Sequence, residues 1–311
     1  MATIVLTGSS GMVGSAVGER LLEIGHDVVG VDTRPNRWVP ELEENTIQLD
    51  LLDANAFSVL PDDPDYLLHF AANSRVKYSI NDPSLAMENV MILDNVLRYL
   101  RTTSDPKLLF ASSREVYGEG GEGPTSEDAV TLEACNNPYG ASKISNEATI
   151  YANEECYGIM PVILRFSNIY GKYDVSDRVI PKFILEATND QDIQIYGEEK
   201  TLDFCYIEDC VDAVIAAVDR FDTVAGRSMN VGGGQSWTLV ELANIIKDVT
   251  GSSSEIHVQP NREGEVQHFL ADVSRAERLL EYDPDYTLEE GLRETVDWYQ
   301  ARSSLLSEIG E

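Results

Sequence analysis

An α/β architecture, a doubly wound parallel sheet with a smaller C-terminal α/β lobe, is predicted by three features of the sequence. Short apolar runs alternate with longer helical patterns up to Phe166, a glycine-rich loop joins the first run to the first helix, and the alternation loses its regularity after Gly171. The runs at 3–7, 28–31, 46–49 and 66–70 have strand length, and the segment 12–24 has helical spacing, an order that gives the βαβαβ of a parallel sheet. A helix is predicted over 83–99, a strand over 107–111, a helix over 139–157 and a strand over 162–166, completing the doubly wound half.

Past Gly171 the readable elements are a strand over 193–196, a helix over 208–220, an amphipathic helix over 238–250, a short strand over 255–258 and helices over 273–280 and 288–302. Pro181 and the glycine triplet at 232–234 interrupt the pattern, so the chain is expected to leave the first lobe and re-enter it. The first lobe is assigned residues 1–170 plus about 203–231, and the second about 171–202 plus 232–311. No internal repeat or low-complexity segment is present, and the stretch 303–311 is expected to fray.

Of the 311 residues, 43% are hydrophobic and 25% charged, the balance of an ordinary folded enzyme, which excludes disordered and fibrous classes. Lys and Arg number 23 against 54 Asp and Glu, giving a formal net charge of −31 that argues against nucleic acid as a partner. Such a carboxylate shell repels itself in dilute buffer, but at ~1 M salt the Debye length shrinks to roughly 3 Å. The charge is therefore read as halophilic, an adaptation to a salty cytoplasm, with acidic tails or a cationic partner as the alternative. Cys135, Cys156, Cys205 and Cys210 have neither CxxC nor Cys/His metal spacing, and free buried thiols are expected. No apolar stretch approaches the ~20 residues of a membrane span, and the run 2–6 is too short for a signal-peptide core, so a cytoplasmic protein with no membrane partner is expected.

The loop after the first strand reads Gly8-Ser9-Ser10-Gly11-Met12-Val13-Gly14. This GxxGxxG pattern, opening a helix, lets backbone amides approach a pyrophosphate at the positive helix terminus, the mark of a Rossmann-type dinucleotide site. A glycine-rich turn in another α/β protein is the alternative. Asp32 closes the second strand, where a carboxylate accepts from the adenosine ribose hydroxyls and repels a 2′-phosphate, which favours NAD over NADP; Arg34 and Arg37 weaken that preference. Tyr139 and Lys143 form a YxxxK pair that a helix places on one face. An ammonium beside a phenol, whose free pKa is about 10, would stabilise the phenolate as a base, although two surface residues give the same pattern. Ser113 lies just beyond the strand expected to end beside the nicotinamide, where it would share a substrate oxygen with Tyr139; Ser112 is read as a capping or turn residue.

With these residues in place, the chain resembles the extended short-chain dehydrogenase/reductase family, in its branch of nucleotide-sugar epimerases and dehydratases similar to UDP-glucose 4-epimerase. The resemblance spans nearly the whole chain. It runs through the glycine loop, Asp32, Asp50-Leu51, His69-Phe70-Ala71-Ala72, Asn89, Ser113, the 138–143 run, the 165–171 run, Asp203-Phe204, Asn230-Val231-Gly232 and the Arg262-Glu263-Gly264-Glu265-Val266 stretch. It implies an NAD-binding first lobe contacted by Gly8, Ser10, Gly11, Met12, Val13, Gly14, Asp32, Asp50, Leu51, Phe70, Ala71, Ala72, Asn89, Tyr139 and Lys143. It also implies a second lobe that binds the nucleotide sugar. By the same resemblance Tyr139 is the acid/base, Lys143 lowers its pKa and holds the nicotinamide ribose, Ser113 shares the substrate hydroxyl, and Asn168 and Arg262 contact the diphosphate.

Two departures bear on the reaction. Leu202 stands where the family usually has Arg, leaving Lys200 or Arg178 as substitutes on the diphosphate. Glu115 occupies the position at which dehydratases and decarboxylases similar to this family carry Glu, while Arg114 stands where those dehydratases have an acid, and a guanidinium cannot donate a proton. The expected activity is an NAD-dependent nucleotide-sugar 4-epimerase working through a transient 4-keto sugar, with no metal. The alternatives are a UDP-glucuronate decarboxylase or a 4,6-dehydratase using Glu115, with Arg114 or Arg75 pairing a 6-carboxylate, and more remotely a non-catalytic NAD-binding regulator. The helices after Pro83 and Asn137 are expected to pair with their copies in a homodimer.

Overall fold

A computed structural model of the protein describes residues 1–121, 123–261, 266–302 and 304. Arg262 lies outside the described residues, as does the stretch expected to fray apart from Ser304. In chain order the first half contains β1 (Thr3–Thr7), α1 (Met12–Glu23), β2 (Asp27–Asp32), α2 (Pro40–Glu44), β3 (Thr46–Gln48), β4 (Tyr66–His69), α3 (Val76–Asn81), α4 (Ser84–Leu100), β5 (Lys107–Ser113), α5 (Pro138–Tyr157) and β6 (Met160–Phe166). There follow β7 (Asn168–Tyr170), α6 (Val179–Thr188), β8 (Ile193–Tyr196), β9 (Thr201–Tyr206), α7 (Ile207–Asp219), α8 (Phe221–Val224), β10 (Arg227–Val231), β11 (Ser236–Thr238), α9 (Leu239–Thr250), β12 (Ile256–Gln259), α10 (Ser274–Leu280) and α11 (Leu288–Gln300).

Seven strands form one sheet in the order β10-β6-β5-β4-β1-β2-β3, and every neighbouring pair is parallel. Its strands are apolar on both faces because helices cover both. Along β1, Ile4 and Leu6 enter one core layer and Val5 the other; β5 alternates likewise through Leu108, Leu109 and Phe110. Each such fully buried aliphatic side chain contributes roughly 1.5–3 kcal/mol. The helix α1 packs beside α7 on one face, and α4 beside α5 on the other.

The strand order reverses between β1 and β4, and in open α/β sheets the crevice for a ligand lies outside the carboxyl ends of the strands at such a point. Re-entry of the chain into the first sheet is made by β10, which pairs with β6 at the sheet edge. A three-stranded sheet β11-β9-β7 and a parallel pair β12-β8 lie beyond the carboxyl ends of the strands with α6, α9 and α11, while α10 packs on α7, α8 and β10. Helix ends follow local chemistry. Asn137 caps α5 by accepting from Gly140 N at 2.8 Å, with Pro138 in the first turn, and Gly158 ends it at φ 70°. Thr238 with Glu241 and Thr287 with Glu290 form capping boxes on α9 and α11.

Pro181 interrupts the sequence pattern but not the helix α6. That proline sits in the first turn of α6, where the missing N–H has no helical acceptor to lose. All four cysteines are free; Cys205 and Cys210 are buried as expected, but Cys156 is exposed near the end of α5. No described helix is long and apolar enough to cross a membrane.

Candidate active site

The glycine loop occupies the crevice floor. A Cβ on Gly14 would stand 2.0 Å from Gly8 O, and one on Gly8, at φ 74°, would stand 2.7 Å from Ala71 N, so the loops after β1 and β4 close to backbone contact. Gly11 precedes α1 without a side-chain cap, and the first N–H groups of that helix, including those of Met12 and Val13, have no acceptor within the helix. They point as donors toward whatever anion lies over the loop. Asn36, fully buried, braces the loop by donating to Ser9 O at 2.7 Å and Ser15 Oγ at 3.0 Å; sequence reasoning missed it, and an Asn in a polar turn gives no signal of that role.

Asp32 is held at the end of β2 by two backbone donors, Ser10 N on Oδ2 at 3.1 Å and Arg34 N on Oδ1 at 3.0 Å. Its fixed carboxylate retains lone pairs for further donors such as two vicinal hydroxyls. Asp50 accepts from Leu52 N at 2.9 Å, and Asn95 donates to Leu51 O at 2.9 Å, which sets the next loop along this edge. Phe70 lies against Phe166, and Ala71 N donates to Thr7 Oγ1 at 3.4 Å; Ala72 follows in the same segment. Asn89 is buried on α4 with its amide engaged: Oδ1 accepts from Asn73 N at 2.7 Å, and Nδ2 reaches Asn73 O and Ser142 Oγ. A glycine cradle at a helix start, followed by a fixed carboxylate after the next strand, fits a dinucleotide.

At the end of β5 the Tyr139 phenol is buried with Ser113 as its hydrogen-bonding neighbour and Glu115, Arg178 and Arg114 as its charged ones. Burial, reinforced by Glu115, pushes the phenol up to about 12, against Arg178, Ser113 and Arg114. Lys143 is buried one turn on and pushed down to about 8 by that burial. Its Nζ donates to Ala111 O at 2.7 Å and lies 4.6 Å from the Phe110 ring centroid, against 5.7 Å from that of Tyr139. In this arrangement the buried ammonium is satisfied by the nearest carbonyl. The two serines of this strand end face different partners. Ser113, the neighbour of Tyr139, also caps the following turn, its Oγ accepting from Glu115 N at 3.2 Å, whereas Ser112 Oγ donates to Glu147.

Glu115 is buried with both oxygens occupied, Oε1 by Arg114 Nη2 at 3.1 Å and Oε2 by Asn137 Nδ2 at 2.7 Å. Arg114 Nε donates to Asn168 Oδ1 at 3.2 Å, its guanidinium lies 5.6 Å from the Phe269 ring, and Nη1 is buried with no hydrogen-bond partner among the described residues. Asn168 Nδ2 donates to Asp203 O at 2.7 Å. Across the opening, Arg75 pairs with Asp177, and Arg178 donates to Ser74 Oγ at 3.0 Å. Lys200 is buried near β9, and Leu202 is accommodated in the apolar core. The structure thus gathers Ser113, Arg114, Glu115, Tyr139, Asn168 and Arg178 at one end of the crevice, and leaves Lys200 just before the start of β9. No group of three or more His, Cys, Asp or Glu side chains among the described residues is arranged to hold a metal ion.

Residues 4–232 match the model of a family described as the NAD dependent epimerase/dehydratase family. The chain belongs to that family. An uncharacterized UDP-glucose epimerase of Bacillus subtilis is 30% identical, covering 94% of this chain and 96% of that protein. A UDP-N-acetyl-alpha-D-glucosaminuronate decarboxylase of Bacillus cytotoxicus is 32% identical, covering 95% and 97%. Among solved structures, a UDP-glucuronic acid 4-epimerase from Bacillus cereus, in complex with NAD and UDP-4-deoxy-4-fluoro-glucuronic acid, superimposes with a TM-score of 0.89 at 27% identity, covering 96% and 99%. The cofactor of the family is NAD, and its relatives of the extended short-chain dehydrogenase/reductase type act on nucleotide sugars.

Proposed function

We propose that this chain is an NAD-dependent nucleotide-sugar 4-epimerase acting through a transient 4-keto sugar. The observation that carries the reading is the state of Glu115. Dehydration needs a free carboxylate to remove the C5 proton, but both oxygens of Glu115 are held by Arg114 and Asn137. Epimerisation needs only a proton carrier at the 4-hydroxyl, and the paired Tyr139 and Ser113 supply it.

In this reading the loop 8–14, with the amides of Met12 and Val13 and the Ser10 turn, holds the cofactor diphosphate. Asp32 takes the adenosine ribose, the Asp50-Leu51 loop flanks the adenine, Phe70, Ala71 and Ala72 line the crevice wall, and Lys143 holds the nicotinamide ribose. Bound there, NAD would supply the hydride acceptor and donor for C4, together with a positive charge that favours the phenolate. Tyr139 removes the 4-hydroxyl proton, Ser113 hydrogen-bonds the same oxygen, and Tyr139 returns the proton after the sugar ring has turned over. Asn168 and Arg178 face the substrate's diphosphate and sugar. Asn89 acts indirectly by fixing the Asn73 segment to α5.

A second reading is favoured by Arg114. Its buried Nη1 has no acceptor among the described residues, and such a guanidinium N–H beside the sugar site suits a 6-carboxylate. A uronate substrate would then be epimerised, or lose its carboxylate as CO2 once C4 is oxidised. Incubation of the NAD-loaded protein with UDP, dTDP and GDP hexoses and uronates, followed by NMR and mass analysis, decides among these. Product of unchanged mass inverted at C4 is expected; loss of the elements of CO2 or water refutes the epimerase. Tyr139→Phe is expected to remove turnover while leaving NAD binding within about threefold, since only the transferable proton is deleted. The outward Met87 and Met91, one turn apart on α4, support pairing with a second copy, which light scattering of the purified protein tests.

A further inference from the structure

Tyr139, Lys143 and Glu147 recur every fourth residue of α5 and so share one face. That face meets the end of β5 residue by residue. Tyr139 faces Ser113, Lys143 Nζ donates to Ala111 O at 2.7 Å, and Ser112 Oγ donates to Glu147 Oε1 at 2.5 Å. Glu147 is 6% exposed and bonded twice to Arg165 on the adjacent strand β6, Nε to Oε1 at 3.0 Å and Nη2 to Oε2 at 2.7 Å. Arg165 extends the network through Nη1 to Tyr117 Oη at 3.0 Å and Glu127 O at 2.8 Å. A buried ion pair is a poor stabiliser, because desolving two charges offsets most of their attraction and apolar side chains often do as well. The pair takes no part in the chemistry described above.

We propose that Glu147, gripped by Arg165, is a positioning residue for the reaction: it fixes Ser112, and with it Ser113, against α5, and keeps a carboxylate one turn from the Lys143 ammonium. The proposal rests on the reading of Tyr139 and Ser113 as the reacting groups. Among the described residues, these groups face Lys143. His69 on β4 is buried, bonded to Thr7 Oγ1 and pushed down to about 3 by burial, hence neutral; Phe110 on β5 and Tyr139 on α5 are also near. Glu147 is the carboxylate that opposes the effect of burial on Lys143. Without it the ammonium loses its proton at lower pH.

The chain has only seven lysines, so Lys143 can be followed by 13Cε-lysine NMR and assigned with Lys143→Met. Glu147→Gln is expected to lower the Lys143 midpoint by about half a pH unit or more, and to move the alkaline limb of kcat/KM down with it, whereas Glu147→Asp keeps both near wild type. An unchanged midpoint in Glu147→Gln overturns the proposal, as does an unmoved alkaline limb at wild-type rate. Because Glu147→Gln strands the Arg165 charge, the double variant Glu147→Gln/Arg165→Met is measured beside it and is expected to shift in the same direction. Failure of the Tyr139 reading registers separately, as turnover that survives Tyr139→Phe, and leaves the lysine titration unaffected.

Discussion

Gly140→Ala separates the geometry of the site from the stability of the fold. Gly140 follows Tyr139 in the first turn of α5, and a Cβ there would meet Glu115 O at 2.6 Å and Glu115 C at 3.3 Å, both backbone atoms of the turn that follows Ser113. Restoring ordinary contact at 3.4 Å requires that turn and α5 to part by about 0.8 Å. Overpacking of this kind costs ~1–3 kcal/mol, and Ala returns ~1 kcal/mol of helix propensity, so the net loss is about 0–2 kcal/mol. At ~2–4 °C per kcal/mol, Tm falls by no more than about 8 °C. The reacting groups sit on the two elements being forced apart, Tyr139 on α5 and Ser113 before the turn, and a displacement near 1 Å costs about 100-fold in rate. Thermal unfolding and kcat/KM on the substrate found by NMR measure the two effects. Near-normal kcat/KM would refute the reasoning, as would a collapse of Tm large enough to explain the loss by unfolding.

Asp32→Ala deletes the carboxylate held by Ser10 N and Arg34 N, and is expected to weaken NAD by about tenfold or more while narrowing the preference over NADP; calorimetric titrations that give an unchanged ratio would place ribose recognition elsewhere. Asp209 is pushed up to about 6, chiefly by burial, from an unfolded value near ~3.9. The folded chain therefore keeps this proton longer than the unfolded chain, and the stability the group contributes falls as pH rises from about 4 to about 6. Denaturant unfolding at both ends of that window is expected to show a shallower slope in Asp209→Asn, and an identical slope would remove the assignment. With a net charge of −31, Tm is expected to rise between low salt and molar KCl as surface repulsion is screened, and a flat response would show that the charge carries no salt adaptation.

The first half of the chain was legible because its signals are local. Apolar runs of strand length, helical spacing between them and a glycine loop at one junction suffice to set the β1-to-β6 order, since strands buried on both faces have no polar positions to confuse the pattern. The strands β7, β9, β10 and β11 were not legible: they are short, and β9 carries Asp203 fully buried among apolar residues, where its carboxylate accepts from Gly233 N and Ala271 N. Those partners lie 30 and 68 residues away, beyond the range of any local pattern.

The same distinction applies within the candidate site. Residue types and spacing by themselves determined that Tyr139 and Lys143 share a helix face, that a glycine loop joins the first strand to the first helix, and that Ser113 follows a strand. Only the tertiary packing decided that Lys143 turns to the Ala111 carbonyl, that Glu115 is tied down by Arg114 and Asn137, and that Glu147 pairs with Arg165 across two strands. Spacing along one helix fixes which side chains can meet, whereas the charge and hydrogen bonds each finally has depend on burial and on partners from other elements, which exist only once the chain has folded.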